Sequence, residues 1–126
     1  MGYRSEVVLV VGKEVMPQFM VTMAKSPDAR SLCFAEATRH EDYDGKGNML
    51  FAWDCIKWYD SYEGVAAIDD FLDWCDSEDV PSQDAKGERV DGDECYRFVR
   101  IGEEVEDIDV RGSGFWDVGV QRSIEF

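Results

Sequence analysis

The 126-residue chain has one histidine, three prolines and only 13 lysines and arginines, and its four cysteines include no Cys-x-x-Cys pair. A single histidine excludes a two-histidine metal site and any relay needing a second imidazole. Cys33, Cys55, Cys75 and Cys95 are dispersed, without the clustering of zinc ligands. No apolar run approaches the ~18–20 residues that cross a bilayer, and Met1-Gly2-Tyr3-Arg4 is followed by no signal-type segment. The expectation is a cytoplasmic protein with reduced, mostly buried thiols. So few bases also leave little to neutralise phosphate, so neither direct nucleic-acid binding nor attraction to anionic membranes is expected.

Acid is what the chain has in excess. Its 28 Asp and Glu give a formal charge of −15, yet 44% of residues are apolar, and seven Phe, five Tyr and four Trp supply core material. That balance argues for one folded domain over 1–126 and against disorder. The charge is uneven: residues 1–50 carry 6 basic and 7 acidic groups, whereas residues 51–126 carry 7 basic and 21 acidic groups. Localised charge predicts a patch as well as solubility.

Glu6 to Val11 is a β-branched apolar run with the composition of a buried strand. Met16, Phe19, Met20, Met23 and Ala24 recur at helical spacing after Gly12 and stop at Ser26-Pro27. Ser31 to Tyr43 and Asn48 to Tyr59 read as extended runs flanking the turn Asp44-Gly45-Lys46-Gly47. Val65, Ile68, Phe71, Leu72 and Cys75 mark one face of a second helix, entered from Ser61 or just after. Residues 76–94 read as a long acidic loop. Tyr96 to Ile101 and Trp116 to Phe126 read as strands, joined by the acidic segment Glu103 to Asp109. The predicted class is α+β: a ferredoxin-like split β-α-β-β-α-β sheet with one added C-terminal strand and two helices on one face. The strand from Leu50 to Tyr59 is apolar on both faces, so it is either central and covered or carries interface aromatics.

Motifs for chemistry are weak. Counting Asp42 as the first position of a calcium loop puts Lys46 and Trp53 where oxygen ligands are required. The Gly-Lys-Gly in that turn lacks P-loop spacing. His40 sits among Arg39, Glu41 and Asp42, as on a solvated strand end. What remains is a set of carboxylates. Asp69, Asp73 and Asp76 stand at i, i+4 and i+7 on the polar face of the second helix, where like charges cost a few tenths of a kcal/mol per pair. Asp76 is the worst placed, at the negative end of the helix dipole.

The segments Met1-Gly2-Tyr3-Arg4-Ser5, Ile56-Lys57-Trp58-Tyr59-Asp60-Ser61-Tyr62, Tyr96-Arg97-Phe98-Val99-Arg100-Ile101-Gly102-Glu103 and Gln121-Arg122-Ser123-Ile124-Glu125 resemble, in that order, small acidic proteins of tailed bacteriophages and prophages. The resemblance implies a phage gene product acting in the bacterial host cytoplasm, where such proteins often inhibit host or defence machinery. It brings no enzymatic activity with it.

The expectation is a non-enzymatic inhibitor that binds a basic, nucleic-acid-handling host or defence protein. Its DNA-mimicking surface would comprise Asp69, Asp70, Asp73, Asp76, Glu78, Asp79, Glu103, Glu104, Glu106, Asp107 and Asp109, with no cofactor and no metal. Reversing Asp69, Asp73 and Asp76 to Lys is expected to abolish binding and leave folding intact. The alternative is a structural or homodimeric module pairing through sheet-face aromatics (Trp53, Trp58, Tyr59) or its edge strand.

Overall fold

A computed structural model describes residues 3–77, 80, 91–104 and 106–115, together with the backbone of 119–120 and 124–125. The elements run β1 (Ser5–Val11), α1 (Met16–Lys25), α2 (Pro27–Phe34), β2 (Arg39–Asp42), β3 (Met49–Ile56), α3 (Glu63–Cys75), a short 3-10 turn (Gly92–Cys95), β4 (Tyr96–Ile101), β5 (Ile108–Arg111), β6 (Gly119–Val120) and β7 (Ile124–Glu125). The class is α+β, with a five-stranded antiparallel sheet in the order β2-β3-β1-β4-β5. Among the described residues, no helix is long and apolar enough to cross a membrane.

β1 lies at the centre because its apolar run can be buried on both faces. Val7, Leu9 and Val11 join Phe51, Trp53, Tyr96 and Phe98 in a core under the three helices, while Val8 and Val10 join Leu50, Ala52 and Val99 in a second core on the other face. Tyr43, Ile101 and Phe115 pack on that second core, and the backbone of β7 lies beside β1 and β4. The two-sided strand is therefore covered on both faces.

Four local readings need correction. Ser26-Pro27 ends α1 but also starts α2, where the Ser26 hydroxyl accepts the Ala29 N–H at 3.2 Å and proline occupies the first turn. Three helices therefore stand where two were expected, and the strand read from Ser31 shrinks to β2. The strand added to the sheet is β5, which lies in the supposed linking segment. Within 116–126, β6 and β7 pair with each other instead of joining the five-stranded sheet.

The hairpin between β2 and β3 closes as its composition predicts. Asp42 Oδ1 accepts the N–H groups of Asp44 and Gly45, Asp44 Oδ1 accepts that of Lys46, and Gly45 and Gly47 take φ of 75° and 91°. These carboxylates organise the turn itself.

A bulge near the end of β3 sets up the functional side of the molecule. Between the pairs Val7↔Trp53 and Ser5↔Ile56 the register shifts, and Cys55 adopts a left-handed φ of 53°. The extra residue flips the alternation, so Ile56 and Trp58 turn to the helix-side core that already holds Phe51 and Trp53.

Candidate functional site

α3 packs with Val65, Ile68, Phe71, Leu72 and Cys75 inward, leaving its aspartates on the outer side. β5 is the sheet edge nearest that side, and Arg111 near its end reaches across to the helix. Arg111 Nη2 donates to Asp73 Oδ1 at 2.9 Å and to Asp76 Oδ2 at 3.1 Å, and Nη1 lies 4.0 Å from Asp69 Oδ1. The i, i+4, i+7 spacing is thus a cradle for one guanidinium. Asp76 receives further support from the buried Tyr96 hydroxyl, which donates to its two oxygens at 2.8 and 3.0 Å. These bonds offset the poor placement of Asp76 at the helix end. Burial and then the Asp76 carboxylate push the Tyr96 phenol well above its ordinary pKa, so it remains a donor.

A second cluster forms on β4 and the segment leading into β5. Arg100 Nη2 donates to Asp107 Oδ1 at 2.5 Å and Asp109 Oδ2 at 2.7 Å, and the Tyr3 hydroxyl donates to Asp107 Oδ2 at 2.6 Å. Hydrogen bonds from Arg100 and then Tyr3 hold the Asp107 carboxyl below the usual carboxylate range. Phe98 pairs with Arg111 and Arg100 with Asp109 across the β4–β5 ladder, so both clusters share the helix side of the sheet edge.

Between α3 and β5 the surface opens into a cleft of about 320 Å³, walled by Asp60, Asp69, Asp73, Asp109 and the two arginines, with Trp58 and Phe98 in its lining. Asp69 stands above its ordinary pKa because of burial and the neighbouring Asp60, with Arg111 acting in the opposite direction. A larger cavity of about 670 Å³ lies elsewhere, between α2 and the start of α3, lined by Arg4, Asp28, Lys57 and Tyr62 among others.

The structure therefore brings Asp69, Asp73 and Asp109 around one cleft, joins Asp76 to them through Arg111 and joins Asp107 through Arg100. Asp70, Glu104 and Glu106 are exposed and have no ion pair among the described residues. Glu103 accepts the Arg4 backbone N–H at 3.2 Å. Glu78 and Asp79 lie outside the described residues. Asp60, which also has no ion pair among the described residues, was missed by sequence reasoning because it stands alone in the Trp58 to Tyr62 turn.

Two site expectations require correction. Trp53 is 1% and Trp58 7% exposed, and the Trp53 indole N–H donates to the Leu32 carbonyl at 2.8 Å, so neither ring forms an exposed sheet-face patch through which two copies could pair. Tyr59 is half-buried against Tyr62, with ring centroids 5.1 Å apart. Asp73 and Asp76 both bind Arg111, so their reversal is expected to cost stability as well as binding.

Among the cysteines, Cys33, Cys75 and Cys95 are buried free thiols and Cys55 is an exposed one. Burial pushes Cys33 and Cys75 up to about 12 and Cys95 up to about 11, which keeps these thiols protonated and poorly nucleophilic. His40 stacks on Phe51 with ring centroids 4.8 Å apart. Comparison with protein-family models, curated proteins and solved structures finds no match.

Proposed function

We propose that this chain is a non-enzymatic inhibitor whose acidic α3–β5 side occupies the basic, nucleic-acid-binding surface of a host or defence protein. The reading extends to a phage gene product acting in the bacterial cytoplasm. The observation that carries it is the convergence of Asp60, Asp69, Asp73, Asp76, Asp107 and Asp109 on one side of the molecule, beside Asp70, Glu104 and Glu106, which have no ion pair among the described residues. DNA carries one negative charge per ~1.7 Å of duplex axis, and a protein that binds it has Lys and Arg placed to neutralise that array. Carboxylates held by an arginine cradle compete for the same groups without reorganising first. Arg100 and Arg111 lower the net charge of the patch but fix the positions of its carboxylates.

We also read the fold as ferredoxin-like. The order β2-β3-β1-β4, with α1 and α2 in one connection and α3 in the other, supports that reading. β5 then extends it at the edge.

The test is affinity capture from bacterial lysate at about 50 and about 500 mM salt, with mass spectrometry, beside a variant reversed at Asp70, Glu104 and Glu106. Basic nucleic-acid-handling proteins should be retained at low salt, released at high salt and displaced by duplex DNA. Retention indifferent to salt and to the reversals would overturn the reading. A second reading, a homodimer, is favoured by β5, an edge strand with Ile108 41% and Val110 46% exposed. It requires a dimer in sedimentation that persists at about molar salt.

A further inference from the structure

The cleft between α3 and β5 contains groups that a general negative surface leaves unused. Trp58 is only 7% exposed and lines this cleft. Its indole N–H donates to no group among the described residues, and no fully buried side-chain nitrogen or oxygen there lacks a partner. That N–H therefore meets solvent, and Trp58 lines this cleft. An indole nitrogen is a donor only, so it requires an acceptor from outside.

The opposite deficit lies beside it. Among the described residues Asp60 has no ion pair, and the cation near Asp69 is Arg111 at 4.0 Å. Arg111 is engaged at 2.9 and 3.1 Å by Asp73 and Asp76, and Arg100 by Asp107 and Asp109. Asp69 is thus left with only the distant edge of a guanidinium whose close bonds go elsewhere, and its burial and the neighbouring Asp60 hold it above its ordinary pKa.

We propose that the cleft receives one arginine side chain of the basic partner, its guanidinium bridging Asp60 and Asp69 while an adjoining carbonyl of the partner accepts the Trp58 N–H. The proposal rests on the reading above and names how the partner is held. A cleft of about 320 Å³ suits a side chain better than a helix or strand. The planar fork of arginine can serve two carboxylates at once, where a lysine ammonium is a single strongly hydrated point charge.

The experiment is a titration of the full chain, 15N-labelled, with N-acetyl-arginine methylamide, following the indole N–H signals by NMR. The Trp58 signal is assigned by its loss in Trp58→Phe. The corresponding lysine and glutamate derivatives serve as comparisons. The Trp58 signal should move saturably with the arginine derivative, less with lysine and not with glutamate. A variant carrying Asp60→Asn and Asp69→Asn, which leaves in place the close bonds of Arg111 to Asp73 and Asp76 and of Arg100 to Asp107 and Asp109, should bind about fivefold more weakly. No saturable movement, an equal response to the glutamate derivative, or an unchanged affinity in the double variant would overturn the proposal. If the arginine derivative fails while lysate capture still yields salt-released basic proteins, the cleft assignment falls and the acidic-surface reading stands. If the derivative binds and capture yields none, the cleft is an arginine site and the inhibitor reading falls.

Discussion

Replacing Arg111 with methionine keeps the aliphatic stem and removes the charge that three aspartates of α3 share. Arg111 is 29% exposed, Asp73 71% and Asp76 41%, so each close pair belongs near the surface range of ~0.2–1 kcal/mol, discounted for solvent screening. The two close pairs together are worth about 1 to 1.5 kcal/mol. Removing the cation also exposes the repulsion of Asp69, Asp73 and Asp76 along the helix, at ~0.2–0.5 kcal/mol for each neighbouring pair. The expected loss is about 2 kcal/mol at low salt, or roughly 8 °C in Tm for a chain of this size. Urea unfolding at about 20 mM and about 500 mM salt provides the check, because screening weakens both the attraction in the parent and the repulsion in the variant. The deficit should shrink to about half at high salt. A deficit under about 0.5 kcal/mol at low salt, or one indifferent to salt, would refute the view that the acidic face and the edge strand hold each other in place.

Trp53→Phe leaves the Leu32 carbonyl without its 2.8 Å donor and should cost about 1 to 2 kcal/mol in urea unfolding. Gly92→Ala sets a Cβ 1.9 Å from the Cys75 carbonyl oxygen, where the 3-10 turn meets the end of α3, and should lower stability by about 2 kcal/mol or more, read from a thermal melt. Asp107 and Asp69 should respond to pH with opposite signs. Asp107, lowered in the folded state, adds stability above the unfolded carboxylate value near ~3.9 and loses it as pH falls through its folded value, so Asp107→Asn should destabilise at pH ~7 and matter little at pH ~2. Asp69, raised, opposes folding once pH rises through its unfolded and then its folded value, so Asp69→Asn should be neutral or stabilising at pH ~7.

Features governed by near neighbours in the chain could be read from sequence. β1 announces itself as a β-branched run, the Asp44 to Gly47 turn carries the residues its backbone needs, and the inward face of α3 follows the 3.6-residue period. Features set by distant partners could not. Ser26-Pro27 looks the same whether a helix only ends there or another begins, and the four-residue β5 has too short a pattern to stand out from an acidic linker. The left-handed Cys55 gives no sequence signal, because glycine is the usual residue there, and missing it assigns Trp58 to the wrong face. For the candidate site, the helix spacing of Asp69, Asp73 and Asp76 was visible. Their shared partner Arg111 lies far along the chain, and so the acids were read as a row of free carboxylates in a binding surface rather than as a cradle.

The central claim is that the acidic side takes the place of DNA on a basic protein. Its most direct test uses a protein retained at low salt, presented together with this chain and a fluorescent DNA duplex in an anisotropy assay. The account predicts mutually exclusive binding: added chain displaces the duplex, and the displacement weakens as salt rises and in the variant reversed at Asp70, Glu104 and Glu106. A stable ternary complex in which the partner holds the duplex and this chain at once would contradict it.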